Sequence, residues 1–117
     1  MNDKVIGLRI KLEMSIPGGG RVGVATGTIV SRTPNENEKF QDGYYVDFES
    51  PFFFEGDTMV KAWIFPLPGD RPGPRIDKMA QIFDGPIMTT FTYITLDGES
   101  KSPGDRGMMA LVSLAPP

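Results

Sequence analysis

Residues 6–32 read IGLRIKLEMSIPGGGRVGVATGTIVSR. Ile6, Leu8, Ile10, Leu12 and Met14 alternate with Gly7, Arg9, Lys11 and Glu13. Successive side chains of an extended chain point to opposite faces, so this period of two predicts a strand with one buried and one wet face. Pro17 and the glycines 18–20 follow as a turn, since glycine admits positive φ and proline fixes its own. Residues 21–32 return as a second strand, and the two form a hairpin. Gly23 and Gly27 inside it predict a bulge, a bend or a close backbone approach.

Downstream, the same reading repeats. TPNENEKFQD, residues 33–42, is a polar loop, and residues 43–50 are a strand with Tyr44, Val46 and Phe48 on one face. Pro51-Phe52-Phe53-Phe54 runs into a tight turn at Glu55-Gly56-Asp57, and TMVKAWIF, residues 58–65, is the next strand. Residues 67–75 form a Pro/Gly connector, because proline has no ladder donor. Ile76, Met79, Ala80 and Phe83 fall at i, i+3, i+4 and i+7, which allows at most one short helix. PIMTTFTYITL, residues 86–96, and MMALVSL, residues 108–114, pair as a C-terminal hairpin, and the tail after it is expected to fray. The expectation is a single all-β domain over residues 1–117, mainly antiparallel. A barrel-like unit spans 1–66, the connector follows, and residues 76–117 pack onto the unit as a short helical turn and a hairpin.

Composition narrows the chemistry. The chain has 117 residues with no histidine and no cysteine. This removes the usual zinc sites, thiol nucleophiles and Ser-His-Asp triads, and leaves no side chain that titrates near neutrality unperturbed. No cofactor, no metal and no enzymatic activity are expected. Proximity of Asp42, Asp47, Glu49, Glu55 and Asp57 does not of itself supply two carboxyls on opposite sides of a sugar. The glycines 18–20 lack the Lys-Ser/Thr and the helix of a phosphate loop. No run approaches the roughly 18 apolar residues of a membrane span, and the N-terminal segment has no apolar stretch of signal-peptide type. A cytoplasmic location is expected, which the absence of cysteine suits. The net charge of −3 speaks against direct nucleic-acid binding. Acid is concentrated: residues 33–60 hold seven acidic residues against Lys39 alone. That is either a solvated loop or a surface that meets a basic partner or imitates nucleic acid.

GTIVSR at 27–32, GYYVDFE at 43–49 and VKAWIFP at 60–66 resemble consecutive strands of an SH3-like small barrel, of the KOW type and of the type II dihydrofolate reductases. The resemblance covers about residues 21–66. It implies a small barrel, with RNA or protein binding for KOW domains and a tetrameric pore for the reductases. Where the reductase pore carries Val-Gln-Ile-Tyr, this chain reads Lys61-Ala62-Trp63-Ile64-Phe65.

Partner-binding candidates follow from exposure arguments. Three consecutive phenylalanines, Phe52–Phe54, cannot all face one core, so one is an exposed anchor unless the strand is buried on both sides. Glu55 and Asp57 give the tip an acidic flank. Trp63 and Tyr45, with Tyr44 and Phe65, either line an aromatic groove or fill the core. Arg9, Lys11 and Arg21 make a basic patch or an ordinary solvated face. The leading expectation is a non-enzymatic protein-binding module, an inhibitor or adaptor encoded by a phage or mobile element. The alternatives are a structural homo-oligomer, as in a virion or ring, and a small-ligand binder or reductase-like enzyme.

Overall fold

The computed structural model describes residues 4–16, 20–34, 42–54, 56–67, 78–98, 100–101 and 109–116, with backbone alone at 16, 20, 21, 54, 91, 100 and 101. Seven strands follow one another: β1 Arg9–Ile16, β2 Gly20–Thr33, β3 Gly43–Phe54, β4 Asp57–Pro66, β5 Ile87–Thr95, β6 Ser100–Lys101 and β7 Met109–Leu114. All pairings are antiparallel. The order β4-β3-β2-β1-β7-β5, with β4 also pairing β5, closes six strands into a barrel, and β6 adds two residues beside β5. The all-β expectation holds. The C-terminal pair, read from sequence as a hairpin laid on a first unit, contributes two staves of this wall. Closure leaves none of the six staves with an open edge along its whole length.

Alternation builds the interior. Ile10, Leu12 and Met14 of β1 are fully buried, as are Ile29, Tyr44, Val46, Met59, Ala62, Ile64, Ala110 and Val112 on the other strands. The β1 pattern breaks at its start: the chain turns over residues 4–7, Gly7 takes φ 92°, and Val5 rather than Ile6 enters the core. The expected helix is a 3₁₀ turn, Met79–Phe83. With three residues per turn its buried face is Met79 and Ile82, so Phe83, placed on the apolar face by helical spacing, stands in solvent. The tail is held rather than frayed at its start: the Ala115 N–H donates to the Arg9 carbonyl at 3.0 Å, and Arg9 Nη1 donates to the Pro116 carbonyl at 2.6 Å.

Bulges bend the wall. Register shifts opposite Met14/Ser15 and between Ile29/Ser31 leave Val22 and Val30 as extra residues on β2. Gly27 sits where β2 meets β3; a Cβ there would strike the Asp47 carbonyl and lie 2.8 Å from Val46 Cγ1. The close approach expected of this glycine is therefore real. The expected turn at Pro17–Gly19, residues 35–41 of the expected loop, residues 68–75 of the connector and the expected helix start at 76–77 lie outside the described residues.

Candidate functional site

The wall is most irregular just before the β3–β4 tip. Asp47 pairs with Lys61 and Phe52 with Met59, so five steps along β3 face only two along β4. Pro51, which has no N–H to give a ladder, falls within this interruption. On the other side of β4, Met59 pairs with Thr95 and Lys61 with Ile94, leaving Val60 as an extra residue. Two bulges flanking one hairpin end re-aim its tip relative to the barrel.

At the tip, neighbours diverge. Phe52 packs against the core, and its ring covers Gly23 so closely that a Cβ there would lie 2.7 Å from Phe52 Cζ. Phe53, one step on, is 75% exposed. Gly56 turns the chain with φ 83°, a conformation that costs glycine little. Behind the turn, the Tyr93 hydroxyl donates to Asp57 Oδ2 at 3.0 Å. The Phe54 side chain and Glu55, both named from sequence, lie outside the described residues.

Sequence reading missed Leu96. It follows β5 directly and is 71% exposed. Its N–H donates to the Thr58 carbonyl at 3.0 Å, and Thr58 pairs with Phe53 on the other side. Phe53, Thr58 and Leu96 thus occupy one cross-strand row, with the two most exposed large apolar side chains of the described residues flanking a threonine. The signal was present: Tyr93 and Thr95 face inward, so Leu96 is an apolar residue on the outward phase.

Further along the same outer face lies an aromatic ledge. Tyr45 and Trp63 are directly paired, half-buried, and meet edge to face with ring centroids 4.7 Å apart and planes at 63°. Lys61 Nζ lies 5.6 Å from the Tyr45 ring centre. Phe65 is half-buried with its ring against Gly43, where a Cβ would lie 2.6 Å from Phe65 Cε1. Tyr44, grouped with this ledge by sequence, is instead in the core. Its partner on the rim is Arg32, 5.5 Å from the ring centre and hydrogen-bonded through Nε to Asp42 Oδ2 at 2.8 Å.

The basic candidates are arranged differently. Arg9 is paired with Glu49 through Nε and Nη2. That hydrogen bond, then the mutual charge, raises the Arg9 pKa, and the hydrogen bond holds the Glu49 carboxyl below the usual carboxylate range against an opposing desolvation. Lys11 Nζ is 3.2 Å from Glu13 Oε1 on the same strand face. The Arg21 side chain lies outside the described residues.

An open cleft of about 530 Å³ sits beside the 3₁₀ turn, lined by Lys78, Gln81, Asp84, Ile87 and Met88 among others. Among the described residues no group of three or more His, Cys, Asp or Glu side chains gathers to hold a metal, and no buried side-chain nitrogen or oxygen lacks a hydrogen-bond partner. Nor is any helix there long and apolar enough to cross a membrane. Comparison with protein-family models, with curated proteins and with solved structures finds no match.

Proposed function

We propose that this chain is a non-enzymatic protein-binding module. Its docking face is the outside of β3, β4 and β5, from the Phe53–Leu96 tip to the Tyr45–Trp63 ledge. The observation that carries the reading is the exposure of Phe53 and Leu96 on either side of Thr58. Two large apolar side chains in one solvent-facing row gain free energy when a partner covers them, and a few such anchors dominate most protein interfaces. Support also comes from what holds the tip. Phe52 on Gly23, Gly56 in the turn and Tyr93 on Asp57 fix its backbone, which lowers the ordering cost of docking. Phe54 and Glu55 belong to the same tip by sequence. An SH3-like type of barrel is part of the proposal, supported by the three resembling segments falling on or running along consecutive strands β2, β3 and β4. The module acts as an inhibitor or adaptor.

The test is affinity capture from the host of origin with wild type and with Phe53→Ser/Leu96→Ser, followed by titration of the purified partner. Exposed positions of this kind shift stability by about 0.5 kcal/mol or less each, so the variant remains folded. Wild type retains a partner that the variant binds at least roughly tenfold more weakly. Equal binding by the folded variant overturns the assignment.

A further inference from the structure

Phe53 and Leu96 lie in two stretches of sequence without a single cation. No lysine or arginine occurs between residues 40 and 60 or between residues 84 and 100. Of the acids there, Asp42 and Glu49 are already paired with Arg32 and Arg9, and Asp84 lies away from the tip beside the 3₁₀ turn. The barrel brings these stretches together, because β5 pairs with β4 directly behind the β3–β4 tip. Asp97, next to Leu96, is exposed, and Asp47 is exposed at the other end of the face. Among the described side chains of this face the one cation is Lys61, which lies over the Tyr45 ring opposite Asp47 in register. The opposite flank uses its Arg9 and Lys11 on carboxylates of the chain itself.

We infer that the partner is a protein whose docking segment presents apolar side chains flanked by lysine or arginine. This deepens the protein-binding reading above and rests on it. The apolar row supplies the anchor. The acidic rim supplies the sign, attracting a basic segment and repelling nucleic acid and anionic lipid surfaces. Charge on such a rim acts on encounter and selectivity, while the buried anchors set the lifetime of the complex.

Three synthetic peptides of equal length test this: one alternating arginine with leucine, one glutamate with leucine, one serine with leucine. Trp63 is the only tryptophan, so its emission reports binding at the ledge, and amide shifts of Thr58, Lys61 and Leu96 report the tip. The arginine peptide should bind roughly tenfold or more tightly than the glutamate peptide, weaken as salt is raised, and lose most of that preference in Asp47→Lys/Asp97→Lys. Equal affinity for the arginine and glutamate peptides, or preferential binding of phosphatidylserine vesicles, overturns the inference. Phe53→Ser/Leu96→Ser separates the two levels. If it abolishes binding of all three peptides without charge preference in wild type, the docking face stands and the basic partner falls. If it leaves the arginine peptide bound as before at other residues, both fall.

Discussion

On β1 the outward side chains are Arg9, Lys11 and Glu13; on β4 they are Lys61, Trp63 and Phe65. Both strands bury their alternate residues in one core, so the interior cannot explain the difference. On the first flank each cation meets a carboxylate of the same chain, Arg9 with Glu49 and Lys11 with Glu13. Such exposed pairs add little stability, and they leave little for a partner to satisfy. On the second flank aromatic and aliphatic surface stays in water from Trp63 to Phe53 and Leu96. Covering that surface still releases free energy, at about 25 cal/mol per Å² of apolar area. The barrel thus has one flank whose charges are paired within the chain and one that keeps apolar surface in water.

The comparison breaks most readily at Phe52 and Phe53. Phe52→Ala should cost about 2–3 kcal/mol in urea denaturation, somewhat below the ~3–5 kcal/mol of a fully buried phenylalanine. Its ring packs on Gly23 and the core but is only half-buried. Phe53→Ala should stay within about 0.5 kcal/mol of wild type. Equal costs at the two positions would make Phe53 a structural residue and close the second flank.

The contrast between these neighbours was partly legible in sequence. Three consecutive phenylalanines on a strand force at least one outward, but alternation alone does not fix the phase across an interruption. Here Asp47 to Phe52 spans five positions against two on β4, and Pro51 lies inside that step. The phase was therefore set by bulge geometry, which depends on long-range register. Alternation read β1 and β3 correctly because Ile10, Leu12 and Met14, and Tyr44 and Val46, face one shared interior. It failed at Ile6, where a local turn reverses the phase, and at Phe83, where a 3₁₀ turn has a different period from an α-helix. Leu96 went unnoticed because its importance comes from Phe53, 43 positions away in the chain and joined to it only through Thr58. Composition located the acid but not its neighbours in space.

A second break lies at the ledge. Trp63→Ala removes an edge-to-face pair with Tyr45 and a half-buried indole, and should cost about 1–2 kcal/mol. Lys11→Ala on the first flank should cost about 0.5 kcal/mol or less. Parallel denaturation curves with unchanged slopes would keep both variants two-state and make the difference a property of the outer faces. A Trp63 cost as small as that of Lys11 would mean the ledge is not ordered against Tyr45.

The smallest effect concerns the first flank, and its sign is fixed by linkage. Hydrogen bonding to Arg9 holds Glu49 below the usual carboxylate range in the folded chain. A carboxyl with a lower folded than unfolded value stabilises the fold above its unfolded value, and that contribution is lost as pH falls through the folded value. An NMR titration of the Glu49 carboxyl carbon should place its midpoint below those of exposed glutamates, and Arg9→Gln should return it to their range. The same substitution should flatten the acid limb of stability only slightly, because the pair lies in solvent. Glu49 titrating like an unpaired glutamate in wild type would leave Arg9 available to a partner. The two flanks would then differ only in apolar content, and the acidic rim would no longer be set apart from a neutralised one.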